Sequence, residues 1–313
     1  MTITNNDCLR QLLQIHWLRP ETALWRTFDC LLMEKYGRIS GRAADLGCGD
    51  GTMSFIMGGG RIEGYDVFME TAELEAYNEG ADIYNNQTQA PIKISSDSIR
   101  YCFDYGLDHK TGLISKAERF SGFYNNTLTH DLNHPLPFPS GSFNSLFSNI
   151  LYWLDDLDSI LTSWHQALLS DGTLCLFVPT SKFKEKAWLY YSAPHEGRNK
   201  YLNYFDRGYA KLIHHCKSAK EWVAIFNRNG FTVADHHTYL SDPVMDIWNV
   251  GTRPIAPLLI NFAKKLPAED RLEVKEEWIN YFLHFFEPII EGEFGKSIPE
   301  EKAGFHFFVL TKN

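Results

Sequence analysis

The sequence predicts an α/β protein built on a doubly wound, mostly parallel sheet. Two observations predict it: short apolar runs alternate with helix-period segments between residues 40 and 240, and the cluster Gly47, Gly49, Gly51 stands between one such run and a helix. The 313 residues, 44% hydrophobic and 22% charged, are enough for one large core with insertions, so 1–313 is read as a single domain.

Each element follows from local pattern. Residues 7–36 have helical spacing, with Pro20-Glu21 as a helix start and Leu24, Trp25, Phe28, Leu31 and Leu32 as an apolar stripe, so 1–38 is expected to form a helical cap. Ala43 to Leu46 is a short strand, Met53 to Met57 opens a helix, and Ile62 to Val67 is a second strand ending near Asp66. Residues 70–113 are polar and aperiodic, and are read as an insertion after strand 2. The pattern resumes with a helix at 114–123, strands at 127–131 and 143–149, a helix at 157–169 and a strand at 173–178. Right-handed crossovers place ligands at the carboxyl ends of such strands, where Gly47 and Asn149 lie. A helix at 219–229 capped by Gly230 and a strand at 231–239 follow, then a helical insertion over 241–302. The apolar run Phe305 to Leu310 suits an edge or penultimate strand.

The balance of 39 acidic against 30 basic residues, a formal charge of −9, disfavours nucleic acid and anionic membranes as partners. No segment approaches the ~20 apolar residues of a membrane span, and Met1 to Asn6 lack a basic run, so a cytoplasmic protein is expected. Six scattered cysteines without a CxxC pair read as reduced thiols. The pairs His214-His215 and His236-His237 diverge on either a helix or a strand, and no metal site is expected.

The run Asp45-Leu-Gly47-Cys48-Gly49-Asp50-Gly51 allows a tight turn and close ligand approach. Asp66, fifteen residues past Gly51, is placed to accept hydrogen bonds from both ribose hydroxyls of an adenosine-containing cofactor. A dinucleotide loop wants a third glycine where Thr52 stands, and its pyrophosphate would lie beside Asp45 and Asp50. S-adenosylmethionine, with an ammonium and a sulfonium, tolerates those carboxylates.

Through ADLGCGDGTMSF, GYDV, HDLNHPLPFPSGSFNSLFSNILYWLDD and HQALLSDGTLCLFVP, in that order, the chain resembles the class I S-adenosylmethionine-dependent methyltransferases of the small-molecule type over about residues 40–70 and 114–240. The resemblance implies a seven-stranded Rossmann-like sheet, with S-adenosylhomocysteine as the cofactor product. It implies that Asp45, Gly47, Cys48, Gly49 and Gly51 form the cofactor loop, that Asp66 with Val67 beside it meets the ribose, and that Asp131 and Leu132 meet the adenine. Asn149 would line the methionine side. Tyr152 and Trp153 stand where many relatives carry histidines, so no catalytic base is assigned.

The segment 181–217 is expected to build the acceptor site. Over 182–220, nine basic residues face three acidic ones, leaving +6, interleaved with aromatics; Tyr152, Trp153, Tyr190, Lys200, Tyr204 and Arg207 are the acceptor candidates, and the acceptor is read as a small anionic or aromatic metabolite. An RNA-modifying methyltransferase, or a cofactor-binding protein or oxidoreductase on a related sheet, are the alternatives. The insertion and the C-terminal helical segment are read as lids or as the surface of a homodimer.

Overall fold

The computed structural model describes residues 5–68, 92–186, 191–198, 200, 215–251 and 253–313. Helices α1 (Asn5–His16) and α2 (Pro20–Tyr36) precede β1 (Ala43–Leu46), α3 (Thr52–Met57) and β2 (Arg61–Glu63). Then come β3 (Lys93–Ser95), β4 (Phe103–Asp108), α4 (Thr111–Ala117), β5 (Tyr124–Thr129), β6 (Phe143–Ser148), α5 (Leu157–Ala167), β7 (Leu168–Pro179) and α6 (Phe183–Lys186). The chain closes with α7 (Ala219–Arg228), β8 (Phe231–Ser241), α8 (Asp242–Val250), α9 (Ala256–Lys265), α10 (Ala268–Glu293) and β9 (Ala303–Lys312).

The main sheet has seven strands in the order β5-β4-β1-β6-β7-β9-β8. β1 runs parallel to β4 on one side and β6 on the other, pairing Ala44 with both Tyr105 and Leu146. All four of its residues are buried, as a strand enclosed on both faces requires. β9 is antiparallel to both β7 and β8. Its first eight residues are buried, which explains the unbroken apolar run near the C-terminus.

Two expectations are corrected. The run Ile62 to Val67 is not a strand of the main sheet: it extends only to Glu63, where Gly64 turns the chain at φ 71°, and it pairs antiparallel with β3 in a separate two-stranded sheet. The strand beside β1 is β4, which lies inside the expected insertion 70–113. Its polar positions are used by neighbours: Asp104 Oδ2 accepts from Ala43 N at 2.9 Å, and a side chain at Gly106 would meet the Tyr124 ring at 2.9 Å. Those tertiary demands hide the strand pattern.

α2 is buried along most of its length, so it belongs to the core. Trp25 packs edge-on against Trp248 and Phe305, with ring centres 4.9 and 4.7 Å apart. Asp29 accepts from Tyr239 Oη at 2.6 Å and from Arg26 at 2.7 Å, while burial raises its pKa.

His306 on β9 is fully buried, its Nδ1 2.9 Å from His236 Nε2. Burial, and the neighbouring His236 after it, push its pKa down to about 3 from 6.5. The folded chain therefore holds His306 neutral, whereas the unfolded chain protonates it below pH 6.5. Stability from this group is complete above that pH and falls as pH drops towards 3. Between pH 7 and 5.5 the expected loss is about 1 kcal/mol. Urea unfolding across that range should show it, and His306→Gln should flatten the profile; equal slopes would exclude the linkage.

Candidate functional site

The glycine loop folds over the carboxyl end of β4. Gly47 N and Cys48 N both donate to Leu107 O, at 2.8 and 2.9 Å, and Gly49 N donates to Asp108 Oδ2 at 3.1 Å. Gly47 has φ 89°, and a Cβ there would stand 2.3 Å from Ile150 Cγ1, so only glycine fits this turn. Asp50 Oδ1 accepts from Thr52 N at 3.0 Å where α3 begins.

Two cavities flank the loop and share Gly47. One, of about 400 Å³, is lined by Asp108, His109, His130, Asp131, Leu132, Asn133, Ile150, Trp153 and Leu154. The other, of about 260 Å³, is lined by Cys48, Gly49, Asp50 and Asn149 of the sheet ends and by His16, Arg19, Arg26 and Tyr65 from the elements packed over them.

In the larger cavity, Asp108 Oδ1 accepts from Lys110 N at 2.9 Å while Oδ2 holds the loop, fixing the carboxylate at the strand end. Asp131 accepts from Asn133 N and Nδ2 at 3.0 and 3.1 Å, and these bonds hold its carboxyl below the ordinary carboxylate value. His130 Nε2 is buried without a hydrogen-bond partner among the described residues. In the smaller cavity Arg19 is buried, and Tyr65 is fixed by Lys275 Nζ, which donates to its carbonyl oxygen.

The expected residues separate into groups. Gly47, Asp131, Leu132 and Trp153 line the larger cavity, and Gly47, Cys48, Gly49 and Asn149 the smaller one. Gly51 lies under the loop, where a Cβ would meet the Tyr124 ring at 2.8 Å. Asp45 is buried beneath, accepting from Tyr124 Oη at 2.6 Å, and burial raises its pKa to about 6. Burial, with Asp45 and Asp108 nearby, drives the Cys48 thiol well above its ordinary value, which removes it as a nucleophile.

Asp66 and Val67 are corrections: both are buried, neither lines a glycine-loop cavity, and Asp66 Oδ2 accepts from Arg271 Nη2 at 2.7 Å and Nε at 3.1 Å. Tyr152 is likewise corrected to the core, 2% exposed and edge-on to Phe305 at 5.6 Å. Lys200 is exposed; Tyr190, Tyr204 and Arg207 lie outside the described residues. Asp108 was missed in the sequence because it closes a strand hidden in a polar stretch; the signal was the run Phe103 to Leu107 ahead of a polar turn. His16 and Tyr65 carry no local signature, and the packing of α1 and of the segment after β2 brings them to the cavity.

Among the described residues, no three His, Cys, Asp or Glu side chains are placed to hold a metal ion, and no helix is long and apolar enough to cross a membrane.

No protein-family model matches the sequence, and no curated protein does. Solved structures resemble the chain in fold. The [4+2]-cyclase SpnF is 16% identical, with 94% of this chain and 82% of that one covered and a TM-score of 0.44. A Galdieria sulphuraria protein provisionally named a sarcosine dimethylglycine methyltransferase is 12% identical, covering 94% and 88%, with a TM-score of 0.49. Phosphoethanolamine N-methyltransferase 2 of Haemonchus contortus, in complex with phosphomonomethylethanolamine and S-adenosylhomocysteine, is 13% identical over 99% of this chain and 61% of its own length, with a TM-score of 0.48. At these scores the likeness is one of general chain path, and the fold assignment rests on the sheet itself. With five parallel strands, an antiparallel penultimate strand and a glycine loop closing over the ends of β1 and β4, the chain has the fold of the class I S-adenosylmethionine-dependent methyltransferases.

Proposed function

We propose that the chain binds S-adenosylmethionine across the two glycine-loop cavities and transfers its methyl group to a small molecule. The observation that carries this reading is Asp108: a strand-end carboxylate hydrogen-bonded to the loop at Gly49 and open to the larger cavity. It takes the place expected for Asp66 as the acceptor of the ribose hydroxyls. Leu132, Asp131 and Trp153 surround the adenine, and the unpartnered Nε2 of His130 offers a polar contact to the same base. Asn149, Gly47 and Cys48 hold the methionine part, with Arg19 and Arg26 in the cavity that receives its carboxylate.

The cofactor supplies a methyl group on a good leaving group, and in-line displacement then asks mainly for alignment and exclusion of water. His16 and Tyr65 line the cavity on that side and orient the acceptor. The +6 charge of residues 182–220 and the aromatics interleaved with it support an anionic or aromatic acceptor. The free cysteines among the described residues support a cytoplasmic enzyme, and the exposed rings Phe262, Tyr281 and Phe285 on α9 and α10 support a homodimer.

Thermal unfolding with S-adenosylhomocysteine tests the cofactor. At about 100 times its dissociation constant the ligand adds about 2.7 kcal/mol. The midpoint should rise by roughly 5 °C. No shift would overturn the reading, and a shift with reduced nicotinamide cofactor alone would replace it with an oxidoreductase.

A further inference from the structure

α2 borders two separate hollows. Its first turns, at Thr22 and Arg26, face the glycine-loop cavity; Phe28 at its middle and Leu32 and Tyr36 in its last turns wall a different one of about 330 Å³, closed by His237 on the edge strand β8 and by Glu293 and Phe294 at the end of α10. This second cavity shares no residue with the glycine-loop cavities.

Its lining is largely polar, and one carboxylate oxygen in it has no donor among the described residues. Glu293 is the last residue of a 26-residue helix, where the backbone dipole already places partial negative charge. Its Oε2 is buried and has no hydrogen-bond partner among the described residues. A buried acceptor left without a donor is costly, and such groups are almost always satisfied. The basic side chains nearby do not satisfy it. Lys35 Nζ sits over the Tyr36 and Phe294 rings, 5.1 and 5.6 Å from their centres, and makes no ion pair with Glu293. Lys296 is exposed at the rim. The imidazole of His237 is stacked on Tyr36, ring centres 3.7 Å apart; its buried Nε2 lies 2.9 Å from Asp235 Oδ1 but makes no hydrogen bond among the described residues. What Glu293 Oε2 lacks is a donor; besides this carboxylate the cavity offers the rings of Phe28, Tyr36 and Phe294 and the polar side chains of His237, Thr238 and Ser297.

We propose that this cavity is a binding site for a small organic ammonium ion, its N–H groups on the Glu293 carboxylate and its apolar body against Phe28 and Phe294. A protonated amine supplies donor and charge together. A neutral molecule would leave the carboxylate uncompensated, and an anion would be repelled by it. The volume is at the lower end of small-ligand pockets, which suits an amine about the size of one aromatic ring and a short chain.

Calorimetric titration with 2-phenylethylamine tests this on the full chain, with 3-phenylpropionate and benzyl alcohol as the anionic and neutral counterparts. The amine should bind with a dissociation constant on the order of 0.1–1 mM, the range such a small ligand reaches. The anion and the alcohol should bind at least tenfold more weakly. Glu293→Gln, which keeps the shape and can donate its own hydrogen bond, should weaken the amine at least tenfold without lowering the unfolding midpoint. Phe294→Ala should weaken it independently of charge. Saturating S-adenosylhomocysteine should leave amine affinity within twofold. Overturning results are the absence of binding at 10 mM amine, equal binding of the three probes, a Glu293→Gln protein that binds like wild type, and an amine displaced by S-adenosylhomocysteine, which would put it in the glycine-loop cavity.

Discussion

Replacing Asp108 with alanine should weaken S-adenosylhomocysteine binding by at least about a hundredfold. A carboxylate has roughly four lone-pair directions, and here two are taken by Gly49 N and Lys110 N. His109 Nδ1 stands 3.5 Å from Oδ1, and the remaining directions suit a pair of ribose hydroxyls, each hydrogen bond to the charged group contributing about 1.5–3 kcal/mol. The same substitution releases Gly49, leaving the loop tied to β4 only through Gly47 N and Cys48 N on Leu107 O. Isothermal titration of wild type, Asp108→Ala and Asp66→Ala separates the strand-end acid from the acid that sequence spacing suggested. Asp66→Ala, if its protein is folded at the temperature used, should bind within about threefold of wild type. The opposite ranking would return the ribose to Asp66 and remove Asp108 from the site.

Asp66 has a different duty, and losing it should be a stability defect. Its Oδ2 receives two bonds from Arg271, its Oδ1 accepts from Phe68 N at 3.0 Å, and the guanidinium lies 4.9 Å over the Phe68 ring. Both side chains are nearly excluded from water, 5% and 11% exposed. Asp66→Ala leaves the guanidinium buried with only the Leu266 carbonyl as a described hydrogen-bond partner. Burial already lowers Lys275 to about 8, an effect Asp66 partly offsets, so the substitution also makes that ammonium harder to keep charged. Breaking a buried pair from one side costs about 3–5 kcal/mol. The unfolding midpoint should fall by roughly 5–8 °C. Arg271→Met in the Asp66→Ala background should restore much of the loss, because it removes the stranded charge. A double-mutant cycle measures this, and a single-variant loss below about 1 kcal/mol would exclude a stabilising pair.

These two acids show where the sequence is readable. Both follow a short apolar run and both end in a polar turn, so they look alike on the page; Asp66 is fifteen residues past Gly51 and Asp108 is 57. What separates them is pairing. The run at 61–63 finds β3, whereas the run at 103–108 finds β1 and β5. Tyr152 and Trp153 make the same point on a smaller scale. They are adjacent in one 3₁₀ turn, yet one ring enters the core and the other faces the cavity.

Sequence by itself determined the parts that depend on near neighbours. The doubly wound alternation, the strand-glycine-helix context of residues 43–57, the break at Pro20 and the buried C-terminal run all follow from periodicity, turn chemistry and the conformational freedom of glycine. Tertiary structure decided which strand lies beside β1, which carboxylate faces the loop, and which polar groups α1 and α2 bring over it. Those outcomes come from strand register and the burial of charge, which set contacts between residues far apart in the chain and leave no periodic trace in it.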